Sequence, residues 1–169
     1  MSDVCDECGF VYDLDEARDA AGECRRLAGE FASRLTTTPE PDLRTRPDSS
    51  TWSTLEYACH VRDVLLVQRE RVILARRVDD PEPPAMGRDE RVAYDGYGEQ
   101  DPRAVSRQLL DASALFANVL DRLDDAAWER GIVYGYPPPP RRRSLGWVAV
   151  HTVHELRHHL QDVDRGTRR

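Results

Sequence analysis

Apolar residues spaced alternately three and four positions apart are the feature that most restricts the fold of this 169-residue chain. This spacing puts side chains on one face of an α-helix, which completes a turn about every 3.6 residues. The first stripe of this kind comprises Leu14, Ala17, Ala21, Cys24, Ala28, Phe31 and Leu35. Similar stripes recur in three later segments, and the strand-like alternation of apolar and polar residues is missing from the sequence. The pattern predicts an all-α protein, a four-helix bundle.

Capping residues predict where the helices begin. Ser53 and Glu56 form a capping box before the second helix, and Asp101 precedes a proline at the first position of the third. Asp13 is expected to cap the first helix. The helices should span about residues 13–35, 53–78, 101–123 and 144–166. We therefore predict one bundle domain over residues 13–169, preceded by an arm of residues 1–12.

The composition excludes several classes of protein. A net charge of -7 and a pI near 5.2 argue against a nucleic-acid-binding protein, because no excess of positive charge is available. No apolar run approaches the roughly 20 residues of a membrane span, and the first residues lack a secretory signal. We expect a soluble, cytoplasmic protein. All 24 basic residues are arginines, which is typical of a high-GC bacterial genome.

Four of the five histidines lie in one nine-residue stretch of the last helix, from His151 to His159. His154 and His158 are one turn apart, so their rings can reach the same metal ion. His151 lies on the same side and is an alternative ligand. The segment also matches the H-E-x-x-H helix of zinc proteases, but that motif usually needs a third ligand well downstream, and few residues follow.

His60, on the second helix, is the candidate for the third ligand. In a bundle, facing helices bring such side chains together in the core. We predict a divalent-metal site, with zinc or nickel as the metal, formed by His60, His154 and His158, called here the predicted triad. Asp63 and Glu155 are weaker candidates for proton transfer or for orienting the ligands.

The segments TWSTLEYACHVRDVL and HTVHELRHHLQDV resemble those of the DinB-like metalloproteins. This family includes thiol S-transferases and the N-terminal domain of mycothiol-dependent maleylpyruvate isomerase. Its members are four-helix bundles with one histidine on the second helix and a His-x-x-x-His or Glu-x-x-x-His pair on the fourth. The resemblance covers about residues 12–165 and assigns the predicted triad as ligands. Because His151 and His159 lie close by, the assignment of the metal ligands could shift by one position.

The resemblance implies a metal-dependent thiol S-transferase that activates a low-molecular-weight thiol for attack on a small electrophile. The high-GC composition favours mycothiol as this co-substrate. Two alternatives stay open. One is a metal-dependent isomerase or hydrolase on the same site, and the other is a bundle that binds a metal or small molecule without catalysis.

The loops should hold the substrate-binding residues, because a long loop in a compact domain is usually functional. The predicted loop 81–100 contains Tyr94 and Tyr97, and the loop 128–143 contains Tyr136. We expect these tyrosines to line the pocket. Arg141 and Arg142 are candidates for binding ligand carboxylates, although an arginine run is more often a solvated loop.

The N-terminal arm carries Cys5-x-x-Cys8, half of the pattern of a zinc ribbon. Together with Cys24 these cysteines are a candidate second metal or redox site. An inert arm, a structural zinc site and a redox pair all remain open. The arm lies outside the segment that resembles the family.

The last helix also predicts self-association. Its histidine row faces one side, and a second apolar stripe faces the other. A helix at the edge of a bundle normally buries one broad stripe, so a homodimer is expected to cover the second one. The stripe comprises Ala149, Val153, Leu156, Leu160 and Val163.

Overall fold

Four long helices form the bundle, which confirms the predicted fold. The computed structural model describes residues 4–135 and 139–166. The long helices are α1 (Ala20–Thr37), α3 (Thr54–Arg77), α5 (Pro102–Leu120) and α7 (Leu145–Gly166). Three short helices are α2 (Glu40–Arg44), α4 (Arg88–Tyr94) and α6 (Asp125–Trp128). Two 3-10 turns span Leu14–Asp19 and Tyr97–Glu99, and the strands are β1 (Gly131–Tyr134) and β2 (Arg141–Ser144).

The helix starts follow the predicted caps, with one exception. The Ser53–Glu56 capping box is complete, and the Asp101 carboxylate accepts a hydrogen bond from the Ala104 N–H before α5. Asp13 instead caps a 3-10 turn, because its carboxylate accepts from the Asp15 N–H, two residues along. The first α-helix therefore begins only at Ala20, later than predicted.

The helices pack in a spatial order that differs from their order in the chain. α1 and α3 each pack against both α5 and α7, so α1 and α3 lie diagonally across the bundle. Phe31, Phe116 and Leu156 are among the fully buried side chains of the core. This arrangement makes α3 and α7 direct neighbours, which brings the helix that carries His60 against the histidine-rich helix.

Three of the connecting segments contain more structure than expected. α2 lies between α1 and α3, and α4 with the Tyr97–Glu99 turn lies between α3 and α5. β1 and β2 form an antiparallel hairpin just before α7, pairing Gly131 with Ser144 and Tyr134 with Arg141. The sequence did not predict these strands, because each is only four residues long and the second is mostly arginine.

The apolar stripe that predicted a homodimer is buried within this chain. All five of its residues are shielded from solvent by the bundle itself. The opposite side of α7 is covered as well, since Phe10 and Tyr12 of the N-terminal arm pack against His154. The stripe therefore gives no reason for a second copy. Within the described ranges, no helix is long and apolar enough to cross a membrane.

Candidate metal centre

The potential metal ligands of α7 form four overlapping groups in the described chain, and two of these groups reach residues of other elements on different sides of the helix. Glu155 and His159 face α3, where they meet His60. His154 and His158 face the N-terminal arm, where they meet Cys5 and Cys8. In each set, one donor atom per residue lies within 4.8 Å of the others. We call His60, Glu155 and His159 the helix-pair site, and Cys5, Cys8, His154 and His158 the arm site.

The predicted triad is thus divided between the two sites. Among the residues that the structure describes, its three members do not form one donor group of this size. The reason is the rotation of α7, because neighbouring residues on a helix point about 100° apart. The pair that faces His60 is Glu155 and His159, one position further along the chain than the predicted pair.

His60 lies at the centre of the helix-pair site and is almost completely buried, with 1% of its surface exposed. Its ring lies 4.9 Å from that of His159 and 5.2 Å from that of Trp52, centroid to centroid. Burial, with a smaller effect of the nearby His159, lowers the pKa of His60 to about 3. The imidazole is therefore neutral at physiological pH and has a lone pair available.

Neither ring nitrogen of His60 has a hydrogen-bond partner within the described part of the chain. Leaving a buried polar atom unpaired costs about 1–3 kcal/mol, so such atoms are rare in folded proteins. A divalent ion would remove this cost, because it binds the lone pair of a neutral imidazole. The residues present therefore fit a metal ion.

His159 is held in the orientation that a ligand needs. Its Nδ1 lies 3.0 Å from the Asp162 carboxylate, while its Nε2 lies 3.8 Å from Oε2 of Glu155. Metal-binding histidines commonly bond a carboxylate through the other ring nitrogen, which fixes the tautomer and raises the basicity of the ligand. Asp162 supplies that carboxylate here.

Glu155 connects the two sides of α7. One carboxylate oxygen faces His159, and the other lies 3.6 Å from Nδ1 of His154 and 3.8 Å from Nε2 of His151. Burial raises the pKa of Glu155, but the neighbouring histidines outweigh it and hold the pKa well below its usual range. The carboxylate is therefore ionised, as a metal ligand must be. Its side chain is 25% exposed, so the site is not completely closed to solvent.

Tyr12, from the arm, joins His151 and His154. Its hydroxyl lies 2.8 Å from Nδ1 of both rings, and because a phenol has one proton it donates to one ring and accepts from the other. Burial lowers the pKa of His151 to about 4, so this ring is neutral and can accept. His154 then donates through Nδ1, and in the neutral ring the lone pair is on Nε2. That Nε2 is buried and has no partner in the described chain.

The other predicted catalytic residue, Asp63, lies away from both sites. Its Oδ1 accepts from the Arg62 guanidinium at 2.8 Å, and its Oδ2 accepts from the Tyr97 hydroxyl at 2.7 Å and from Arg91 at 3.1 Å. These contacts fasten the segment after α3 to the bundle. Asp63 thus lies in a polar network with Arg62, Arg91 and Tyr97, whereas Glu155 is part of the helix-pair site.

The predicted substrate-binding residues that the structure describes also lie away from the two sites. Tyr97 is fully buried against Asp63, and Tyr94 is 88% exposed on α4. Tyr136 lies outside the described residues. Arg142 pairs with Asp80 on the surface, and Arg141 is exposed on β2. The aromatic side chains that do surround the histidines are Phe10, Tyr12, Trp52, Tyr57, Tyr134 and Trp147.

A groove of about 1140 Å³ lies beside Asp63, between α3, α5 and the segment around α4. Arg62, Tyr94 and Gln108 are among its lining residues, and no histidine is. The groove therefore belongs to a different face from the two metal-ligand sets.

Cys24 was predicted to join Cys5 and Cys8 in one site, but the structure does not group it with them. It is completely buried on α1, inside the bundle core, and the partners of Cys5 and Cys8 are the two histidines of the arm site instead. The apolar spacing around Cys24 in the sequence agrees with this core position.

Comparison with known proteins identifies the family. Residues 23–163 match the DinB superfamily, and the chain therefore belongs to that superfamily. No curated protein matches the sequence significantly. The match begins after the arm and includes all of the helix-pair site.

Two solved structures share the fold. One is YfiT from Bacillus subtilis, described as a probable metal-dependent hydrolase with an unusual four-helix bundle topology. Its TM-score is 0.80 at 14% identity, and the match covers 91% of this chain and 87% of the YfiT chain. The mycothiol-dependent maleylpyruvate isomerase has a TM-score of 0.69 and 15% identity, covering 89% of this chain. This chain spans only 60% of the isomerase, so the likeness concerns part of that protein.

Proposed function

We propose that this protein is a divalent-metal-dependent enzyme of the thiol S-transferase type, and that His60, Glu155 and His159 hold its metal ion. The observation that carries the proposal is His60, a buried, neutral imidazole whose two nitrogens lack partners and whose ring faces an ionised carboxylate and a second histidine. Such a set of two histidines and one carboxylate leaves coordination positions open, which is typical of catalytic rather than structural sites.

This ligand set replaces the predicted triad but keeps the family pattern. The DinB-like proteins carry one histidine on the second long helix and either a His-x-x-x-His or a Glu-x-x-x-His pair on the fourth. Glu155 and His159 are such a Glu-x-x-x-His pair, and His60 is the partner on the other helix. Imidazole and carboxylate donors suit zinc and nickel, in agreement with the metals expected from the sequence.

The chain's own residues prepare this site for chemistry. Asp162 fixes the His159 ring, so that Nε2 stays directed at the site. Trp52 covers His60, and the guanidinium of Arg88 lies 5.6 Å from the centre of the Trp52 ring. Arg88 is therefore positioned to attract an anionic ligand at the rim, the role that the sequence suggested for Arg141 and Arg142. A divalent ion bound here would act as a Lewis acid and lower the pKa of a coordinated thiol or water.

The reaction proposed is the transfer of a thiol sulfur to a small electrophile. A sulfur–carbon bond forms, the leaving group departs with its bonding electrons, and the thiol proton goes to solvent, which reaches the exposed edge of Glu155. The likeness to an isomerase named as mycothiol-dependent supports mycothiol as the thiol. The arginine-only basic composition, typical of a high-GC genome, supports the same choice.

Hydrolysis is the second candidate, and one observation favours it. Two histidines and a glutamate are also the ligand set of several hydrolytic zinc enzymes, and YfiT is described as a probable metal-dependent hydrolase. The two activities differ in the nucleophile, which is a thiol in one case and water in the other. Assays with and without a thiol therefore separate them.

The test combines metal analysis with a conjugation assay. The purified protein is loaded with zinc or nickel and given mycothiol and a chromogenic electrophile, and the same reaction is run with water as the only nucleophile. The His60→Ala variant should lose the ion of the helix-pair site and the activity together. Cys59→Ala is the matched control, because Cys59 is also buried on α3 but lies in neither ligand set.

The outcomes are distinct. Thiol-dependent turnover that disappears in His60→Ala and persists in Cys59→Ala supports the transferase. Turnover without thiol supports the hydrolase. Metal binding with no turnover of either kind would favour a non-catalytic binding protein and reject the proposed activity.

A further inference from the structure

The N-terminal arm folds into a tight loop around its two cysteines. Residues Val4 and Val11 form an antiparallel bridge, and the Cys5 N–H donates to the Phe10 carbonyl at 2.8 Å. The Gly9 N–H donates to the Cys5 carbonyl at 2.8 Å, and Gly9 has a φ of +73°, a conformation that favours glycine. The sequence Cys5-x-x-Cys8-Gly9 therefore sets a fixed turn that presents both sulfur atoms on one side.

Both sulfur atoms lie next to the histidines of α7. Each sulfur is within 4.8 Å of the other and of one ring nitrogen of His154 and of His158. Zinc binds cysteine as the thiolate, and a pair of cysteines on one turn supplies two such ligands. The loop therefore presents half of a four-ligand set to the helix.

The remaining two donors come from α7. His154 offers Nε2, which is buried and without a partner in the described chain, while its Nδ1 contacts Tyr12. The Nδ1 of His158 lies 3.9 Å from the Cys5 sulfur. Donor atoms of a tetrahedral zinc site with sulfur and nitrogen ligands are separated by about 3.3–3.8 Å, given bond lengths of about 2.3 and 2.0 Å. The arm site, with all donors within 4.8 Å, is close to this arrangement.

We propose that Cys5, Cys8, His154 and His158 form a second, structural zinc site that fastens the N-terminal arm to α7. Two thiolates and two neutral imidazoles make a four-ligand set that closes the coordination of zinc, unlike the three-ligand helix-pair site. The two thiolate charges also match the charge of the ion, so the site is neutral overall. Two of its four ligands, Cys5 and Cys8, lie outside residues 23–163, the segment that matches the family.

The surroundings of the arm site support this role. The Arg165 guanidinium donates to the Glu7 carbonyl at 3.1 Å, and the Arg157 guanidinium lies 5.5 Å from the centre of the Phe10 ring. The carboxylate of Glu7 lies 3.4 Å from Nε2 of His158, where it can bond the ring nitrogen opposite the donor. The arm also places Tyr12 against His151 and His154, so zinc binding would position the hydroxyl that joins these two rings.

The test is the zinc content of the full-length protein, purified under reducing conditions and then measured per chain. Wild type should hold two zinc ions. The double variant Cys5→Ser/Cys8→Ser and the variant His60→Ala should each hold one, because each removes a different site. Cys24→Ala is the matched control, a cysteine substitution outside both sites that should retain two ions.

Cobalt substitution shows which ligands are present. Cobalt bound by thiolates has an intense charge-transfer absorption in the near ultraviolet, which should appear in wild type and in His60→Ala. It should vanish in Cys5→Ser/Cys8→Ser. If that double variant proves insoluble, Cys8→His keeps four donors and should retain both ions with a weaker charge-transfer band.

Two results would overturn the proposal. One is a Cys5→Ser/Cys8→Ser protein that holds as much zinc as wild type. The other is a wild-type chain that lacks two hydrogens by mass under those reducing conditions, which indicates a Cys5–Cys8 disulfide instead of a metal site. If the double variant loses one ion and His60→Ala loses none, the arm site stands and the proposed function fails.

Discussion

The two sides of α7 present different sets of donor atoms. On the side facing α3, His60, Glu155 and His159 offer three nitrogen and oxygen donors, and Glu155 is partly open to solvent. On the side facing the arm, two sulfur and two nitrogen donors come together where the cysteine loop meets the helix. The number and type of donors distinguish the two sides: three with an open edge suit catalysis, and four with sulfur suit a structural ion.

The largest effect should come from His60→Ala. Removing this ligand takes away the only donor that α3 gives to the helix-pair site. We expect metal-dependent activity to fall by more than about a hundredfold, since even an outer partner of a ligand is typically worth 10–100-fold. Steady-state kinetics with added metal measure the change. Activity close to wild type would remove the helix-pair site from the mechanism.

Metal removal should lower the thermal stability. A ligand present at about a thousand times its dissociation constant stabilises the folded state by about 4 kcal/mol. For a chain of this size, this corresponds to a shift of roughly 10 °C in the melting temperature. Thermal unfolding before and after treatment with a chelator measures the shift. In Cys5→Ser/Cys8→Ser the shift should be clearly smaller, because only the helix-pair site is left to lose its ion. Equal shifts in both proteins would show that the arm contributes no bound metal.

Asp162→Asn should weaken the metal site without destroying it. The carboxylate orients His159 through a 3.0 Å contact but is not one of the three helix-pair donors. We expect metal affinity at that site to fall by about 10–100-fold. Competition with a chromophoric chelator measures the affinity. Asp164→Asn, which changes a surface ion pair with Arg34 two residues along, is the control and should leave the affinity unchanged.

Tyr12→Phe should give the smallest change, a loss of about 1–2 kcal/mol in the free energy of unfolding. The substitution leaves Nδ1 of His151 and of His154 without their common partner, and an unpaired buried polar atom costs energy. Denaturant unfolding of the metal-loaded protein measures it. Tyr94→Phe, at an exposed tyrosine, should unfold like wild type. If both variants unfold alike, the arm does not support α7 through Tyr12.

The long helices could be predicted from the sequence because their causes are local. The apolar spacing and the Ser53–Glu56 capping box act within a few residues, and both appear in the structure. The short hairpin before α7 was missed because four-residue strands rich in arginine have no distinctive pattern. Local physics thus gave the bundle and its main helix starts, and left the connecting segments open.

The ligand pairing could not be predicted in the same way. His154 with His158 and Glu155 with His159 are both pairs one turn apart on α7, and they differ by a rotation of about 100°. Which pair faces His60 depends on how α7 is rotated against α3, and this is set by the packing of the whole core. The sequence did contain one hint, because His159 is followed three residues later by Asp162, the spacing of a histidine and its orienting carboxylate on a helix.

Only the cysteine pair of the arm site could be recognised as a group from the sequence. Cys5 and Cys8 stood out as a pair, but their partners lie about 150 residues further along the chain, and no local pattern links them. Cys24 looked like a third ligand because it was the next cysteine, although its apolar neighbours had already assigned it to the core. Long-range docking of the arm decided the outcome.

A crystal structure of the zinc-loaded protein, with anomalous diffraction recorded at the zinc absorption edge, tests the division of ligands most directly. Two anomalous peaks are expected in each chain. One should lie among His60, Glu155 and His159, and the other among Cys5, Cys8, His154 and His158. A single peak bound by His60, His154 and His158 would contradict the account, because it would restore the predicted triad and leave the cysteines without a metal.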